Sequence, residues 1–324
     1  MKSKIIVIVG PTAAGKSALA LELAKRLDGE IVSCDSMQIY KHMNIGTAKP
    51  TANELAVVRH HMIDIVEPDI AEPYSCADFA GAARVAINSI IERGKLPVLC
   101  GGTGLYIDSI IKQTDFSDMD NDPAYREELF RLAESKGNQF VHDMLREIDP
   151  DSAEAIHPNN VKRVIRALEI FKFTGKTKTE WDAASHINDS PYDPVIIGIT
   201  YLDRELLYKR IDARVDIMIR DGLIDEASYL YKNNILRPDS TAAQAIGYKE
   251  LFAYFDGETD LESAIENIKR ETRRYAKRQM TWFKRNTNIK WLYPDEVSSS
   301  NDGTTFEIIV NNAIDHLKTH GFVI

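Results

Sequence analysis

Hydrophobic positions along this chain follow two rhythms. A short, continuously apolar run rich in β-branched residues occurs at 5–9, and similar short runs recur at 30–34, 62–66, 97–100, 195–200 and 289–292. A run of that length, ended by Gly or a turn residue, predicts a strand buried on both faces, as in a parallel sheet. Between the first four runs lie stretches with helical spacing, such as 75–93, so the opening third alternates strand and helix. After Gly101, Gly102 and Thr103 the alternation stops, and from about 121 to 185 every segment reads as helix. Val161, Val164, Ile165, Leu168 and Phe171 fall on one face of such a helix, with Lys162, Arg163 and Arg166 opposite. The pattern returns to strand at 195, continues through helices to about 285, and closes with a strand and a polar, peripheral helix. The expected fold is α/β: a P-loop NTPase-like parallel sheet flanked by helices, formed by residues 1–115 and 190–324, with an all-helical domain at 116–189 inserted into it.

Composition narrows the class. With 44% hydrophobic and 27% charged residues over 324 positions, the chain can bury a sizeable core. Its three cysteines, Cys34, Cys76 and Cys100, form neither a disulfide framework nor a paired zinc motif, which points to a reducing, cytoplasmic setting. The apolar run at 5–9 is too short for a signal peptide, and no run reaches the length of a membrane span.

One loop carries recognisable chemistry. Gly10, Pro11, Thr12, Ala13, Ala14, Gly15, Lys16 and Ser17 match G-x-x-x-x-G-K-[ST], directly after a predicted buried strand and opening a helix that runs through Leu27. In that context the backbone amides cradle a diphosphate, Lys16 neutralises it and Ser17 holds Mg²⁺. A nucleotide hydrolase or kinase adds a strand ending in Asp for the metal shell. Here the run 97–100 ends in Gly101, and Asp64 is the only near substitute. Past the second predicted strand comes Asp35, on the sheet edge where α/β proteins hold ligands; position alone leaves it open between a turn residue and a functional carboxylate.

Formal charge is −9, which would repel a polyanion on average, but its distribution is uneven. Residues 269–290 hold nine Lys or Arg against the single acid Glu271, a net of +8, leaving −17 on the remainder. At helical spacing Ile265, Ile268, Thr272, Tyr275, Ala276, Trp282 and Phe283 line one face and the cations occupy the other. A one-signed face favours a polyanion partner over a merely solvated surface. With Lys162, Arg163 and Arg166 it would offer two basic surfaces to a folded nucleic acid.

Six ordered stretches together resemble the bacterial branch of the tRNA dimethylallyltransferase (isopentenyltransferase) family: 10–17, 35–40, 44–50, 101–106, 163–169 and 244–249. The resemblance implies transfer of the dimethylallyl group of dimethylallyl diphosphate to the exocyclic amine of adenosine 37, with Mg²⁺ as cofactor. It makes Asp35 the base, Thr103 a contact to the target adenosine and Arg214 the clamp on the diphosphate. Assigned to tRNA contact are Asp35, Ser36, Met37, Gln38, Thr103, Arg126, Lys162, Arg163, Val164, Ile165, Arg166, Gln244, Ala245, Ile246, Gly247, Tyr248 and Lys249. Lys162 departs from the family's more usual glutamine, and the zinc finger of eukaryotic relatives is absent, since no cysteine follows Cys100. The resemblance implies neither a membrane nor an obligate protein partner. A free-nucleotide isopentenyltransferase, a small-molecule kinase and an RNA-binding module with a nucleotide switch are the competing readings.

Overall fold

The computed structural model describes residues 2–69, 74–112, 122–185, 190–238, 240–297 and 302–323. Contacts divide the chain into two units, one of Met1–Ile111 with Pro191–Ile324 and the other of Lys112–Ser190. The first opens with β1 (Ser3–Val9), α1 (Lys16–Arg26), β2 (Gly29–Ser33), α2 (Ala52–Val57), β3 (His60–His61), α3 (Cys76–Glu92), β4 (Leu96–Cys100) and α4 (Gly104–Ile111). The second holds α5 (Pro123–Lys136), α6 (Asn138–Ile148), α7 (Pro150–Ala155), α8 (Val161–Thr174) and α9 (Lys178–Ser185). The chain then returns to the first with β5 (Tyr192–Ile199), α10 (Arg204–Arg220), α11 (Leu223–Lys232), α12 (Lys249–Phe255), α13 (Leu261–Phe283), β6 (Lys290–Leu292) and α14 (Asp302–Thr319).

The six strands form one parallel sheet in the order β3-β2-β4-β1-β5-β6. Central β1 sets Ile6 opposite Val98 on one side and Val195 on the other. Its side chains alternate between two cores: Ile5, Val7 and Val9 pack with Phe79 and Ile87, whereas Ile6 and Ile8 join Leu19, Leu23 and Val310. Burying each such side chain is worth ~1.5–3 kcal/mol, which is why a strand apolar on both alternating sets settles at the centre. In α3, Ser75 caps the helix in a reciprocal box with Asp78, satisfying two end amides. None of the described helices is long and apolar enough to cross a membrane.

Two expectations need correction. The strand expected at 62–66 lies earlier, at His60–His61: Met62 and Asp64 adopt φ of 64° and 56° and break the extended run, leaving Val66 a single bridge to Tyr40. The closing helix is not peripheral. In α14, Val310, Ala313 and Leu317 are fully buried in the second core, because apolar residues at i, i+3 and i+7 make a stripe that its polar composition disguises.

The second unit has a core of its own, with Leu129, Val141, Leu145, Val164, Ile165 and Leu168. On α8 the cations Lys162, Arg163 and Arg166 lie on the solvent side, all three exposed. Phe171, expected on the buried face, is 36% exposed in the helix's last turn.

Candidate active site

Loops leaving the C-terminal ends of β1, β2 and β4 converge at one edge of the sheet, the edge where open α/β sheets bind ligands. Gly101 donates its N–H to the Ile8 carbonyl, Cys34 to that of Cys100, and Thr103 to that of Cys34. After β1 the chain enters the glycine-rich loop, where Gly15 takes φ of 103° and immediately precedes α1; a side chain there would be strained. The loop is held from outside by two helices. Thr12 donates its N–H to Gln279 Oε1 on α13 at 2.9 Å, and Arg210 Nε on α10 donates to the Ala13 carbonyl at 3.2 Å. Lys16 Nζ donates to the Pro11 carbonyl at 2.7 Å.

Asp35 lies just beyond β2, and its Oδ1 accepts the Met37 N–H at 2.9 Å. The neighbouring Ser36 N–H donates to Thr103 Oγ1 at 3.1 Å, which stitches the β2 and β4 loops together. Two cavities open here. One runs along the glycine-rich loop past Lys16, Ser17, Gly101 and Gln279. The other lies against Met37, Met218, Ile246 and Ile268. Thr12, Asp35, Thr47, Arg214 and Tyr275 line both and form the partition between them.

Electrostatics at this partition are those of a buried charged cluster. Burial pushes the Lys16 ammonium down to about 8, with the Arg214 charge adding to the fall and Asp35 opposing it. Arg214 is also lowered by burial, against the pull of Asp35. The Tyr275 phenol is raised to about 12 by burial and by the charge of Asp35. A half-buried ammonium and guanidinium at one cavity, with no ion pair to a carboxylate among the described residues, favour an anion there.

A family model described as IPP transferase matches residues 38–286. The tRNA dimethylallyltransferase of Caldanaerobacter subterraneus subsp. tengcongensis is 48% identical over 98% of both chains, and that of Halalkalibacterium halodurans is 53% identical over 90% of this chain and 91% of its own. The chain belongs to the IPP transferase family. Among solved structures, a tRNA isopentenylpyrophosphate transferase from Bacillus halodurans superposes with a TM-score of 0.70 at 48% identity, covering 98% of each chain. A eukaryotic dimethylallyltransferase, whose structures capture it acting on tRNA, superposes with a TM-score of 0.80 at 31% identity, over 97% of this chain and 80% of its own.

Within this IPP transferase, the structure brings Lys16, Ser17, Asp35 and Arg214 to one site, with Thr103 hydrogen-bonded to Ser36 beside Asp35. Ser36, Met37, Gln244, Ala245, Ile246, Gly247 and Lys249 line the second cavity. Other positions expected at the RNA do not offer their side chains. Val164 and Ile165 are 1% exposed and belong to the second unit's core. Tyr248 is fully buried, its hydroxyl bonded to Glu226 at 2.6 Å. Gln38 faces the glycine-rich loop's cavity with its amide bonded to Ser33, Thr47 and Ala48. Arg126 grips the buried Glu169 through Nε and Nη2 at 2.7 and 2.8 Å.

Sequence reasoning missed Tyr275 and Gln279 as site residues. The signal was present: Thr272, Tyr275 and Gln279 put three polar side chains on the buried stripe of a helix, and a buried polar group must have a partner. The basic character of α13 also proves mixed. Lys269 pairs with Asp216 at 2.8 Å and Arg273 with Asp212, both on α10, and Arg274 pairs with Glu271 at 2.6 Å. Lys277, Arg278, Lys284 and Arg285 have no carboxylate partner among the described residues.

Proposed function

We propose that this enzyme transfers the dimethylallyl group of dimethylallyl diphosphate to the exocyclic N6 amine of adenosine 37 in the tRNA anticodon loop, releasing diphosphate. The observation that carries the reading is the shared partition: a phosphate-type cavity and a more apolar one meet at Asp35 and Arg214. Two ligands bound on opposite sides of such a partition are placed for group transfer. The names of the curated relatives and of the eukaryotic structural neighbour, which speak of a dimethylallyl group and of tRNA, support this choice of ligands.

In this reading the glycine-rich loop, Lys16 and Arg214 hold the diphosphate, with the allylic carbon at the partition. The amine lone pair forms the new carbon–nitrogen bond while the allylic carbon–oxygen bond breaks and its electron pair leaves on the diphosphate. Asp35 orients the amine and takes its proton. Lys16 and Arg214 stabilise charge developing on the leaving group. Because the target base is stacked in the loop, it must be flipped to reach the second cavity, where Met218, Ile246 and Ile268 keep water from the reacting carbon.

Mg²⁺ fits this donor site. The Ser17 hydroxyl opens onto the cavity, and no cluster of three or more His, Cys, Asp or Glu occurs among the described residues, so phosphate oxygens and water would complete the shell, the mode Mg²⁺ favours. When bound, the ion neutralises charge on the diphosphate. The tRNA backbone is gripped by Lys277, Arg278, Lys284 and Arg285 on and just after α13 and by Lys162, Arg163 and Arg166 on α8, leaving Arg126 to order the second unit. Such work belongs in the cytoplasm, in keeping with three free thiols. Incubation with radiolabelled dimethylallyl diphosphate, Mg²⁺ and either unmodified tRNA or AMP tests the reading: label should enter tRNA alone. Label in AMP instead would assign the enzyme to free nucleotides.

A further inference from the structure

Apart from Thr47 in the partition, the stretch 44–50 has no role in the chemistry above, and Glu226 on α11 lies outside every motif that matched. The structure joins them. The Glu226 carboxylate accepts three successive backbone N–H groups, from Asn44 at 2.9 Å, Ile45 at 3.0 Å and Gly46 at 3.2 Å. It also accepts the Tyr248 hydroxyl at 2.6 Å. Consecutive amides converging on one point make an anion-binding nest, and here the anion is supplied from within the chain.

The consequence is geometric. Gly46 and Thr47 form one wall of the second cavity, and Ala245, Ile246 and Gly247, which lead into Tyr248, form another. Tyr248 stands so close to Gly46 that a Cβ there would meet its ring carbon Cε2 at 2.4 Å. From the far side, Gln38 Nε2 donates to the Thr47 and Ala48 carbonyls at 3.2 and 3.1 Å. Glu226 itself is not among the residues lining either cavity.

We infer that Glu226 is a positioning residue for the acceptor: through Tyr248 and the amides of 44–46 it latches two walls of the second cavity at the spacing a flipped nucleobase needs. This rests on the reading that the second cavity receives the acceptor base. A charge-assisted bond to several amides is among the stronger side-chain interactions, so the neutral Glu226→Gln variant loosens the latch while keeping its shape.

The test is a split between substrates. Half-saturating tRNA in single-turnover transfer should rise by about tenfold in Glu226→Gln, the scale of one lost charge-assisted bond, while inhibition by inorganic diphosphate stays at the wild-type level. Glu226→Asp, which keeps the charge, should recover part of the loss. Gly46→Ala should reproduce it without touching Glu226, by displacing the Tyr248 ring. If active wild type and Glu226→Gln share the same half-saturating tRNA, or if tRNA and diphosphate constants worsen together with the melting temperature, Glu226 is only a structural brace and the inference is overturned. Wild-type enzyme that labels no tRNA would instead overturn the parent reading and the latch with it.

Discussion

At the scale of single residues, the site is governed by what burial does to charge. Asp35 shares its partition with Arg214 and Tyr275, and in the proposed function its carboxylate takes the proton of the amine. Replacing it with the isosteric amide removes that capacity alone. Single-turnover transfer by Asp35→Asn should fall by ~10²–10⁴, the usual worth of a general base, while donor affinity barely moves; near wild-type turnover would reduce Asp35 to a turn residue. Lys16 offers a sharper test because burial holds it at about 8, below its ordinary 10.5. A bound diphosphate favours the ammonium and raises that value again. Between the two values binding therefore takes up a proton, and affinity should weaken as pH climbs above about 8, by up to ~tenfold per unit. Calorimetric titration of diphosphate near pH 9, in buffers of different ionisation enthalpy, should show more proton uptake by wild type than by Lys16→Met. Equal uptake would place Lys16 away from the anion.

Elements carry double duties that a one-dimensional pattern blurs, and α13 is the clearest case. Its buried stripe delivers Tyr275 and Gln279 to the site, its flank anchors to α10 through Lys269 and Arg273, and only part of its basic face is left for a polyanion. Charge reversal at Lys277, Lys284 and Arg285 should weaken tRNA binding and flatten the log–log salt dependence by ~0.7–0.9 for each phosphate no longer neutralised. Removing the pairing cation in Arg273→Ala should lower the melting temperature and leave that slope alone. An unchanged slope in the triple variant would make the whole face a solvated surface. The same mixing explains what was legible beforehand. The glycine-rich loop, the central strand and the capped α3 were readable because short local signals fix them. The third strand, α14's burial and the partners of Tyr248 were not, because they depend on backbone twists and on pairings between residues distant in sequence, such as Glu226 with Asn44 and Tyr248. The pairing of Lys269 and Arg273 with α10 was hidden for the same reason: counting charges along one helix says nothing of the acids that another brings to it.

For the molecule as a whole, the question is why a glycine-rich phosphate loop serves bond formation at carbon. In a phosphoryl-transfer enzyme the bond broken is at a terminal phosphorus, and an acidic residue at a strand end helps hold the metal there. Here β4 runs into Gly101 and Gly102, and Asp64, the near substitute in the sequence, does not line the loop's cavity but pairs with Lys49 at its wall. What the sheet edge presents is Lys16 in the loop's cavity, with Arg214 and the Asp35 carboxylate together in the partition to a second cavity. In the proposed function that arrangement would stabilise a departing diphosphate and take the proton of an incoming amine. Diphosphate should therefore inhibit competitively against the allylic donor, and ATP should be neither needed nor cleaved during modification. Lys16→Ala should slow single-turnover transfer by at least ~10², comparable to the loss of one preorganised transition-state donor, while tRNA affinity stays near wild type. The decisive measurement follows phosphorus and carbon in one reaction: doubly labelled donor should yield tRNA carrying the carbon label and free diphosphate carrying the phosphorus label in equal amounts. Phosphorus label on the acceptor, or ATP cleavage in step with product, would return the enzyme to the kinases.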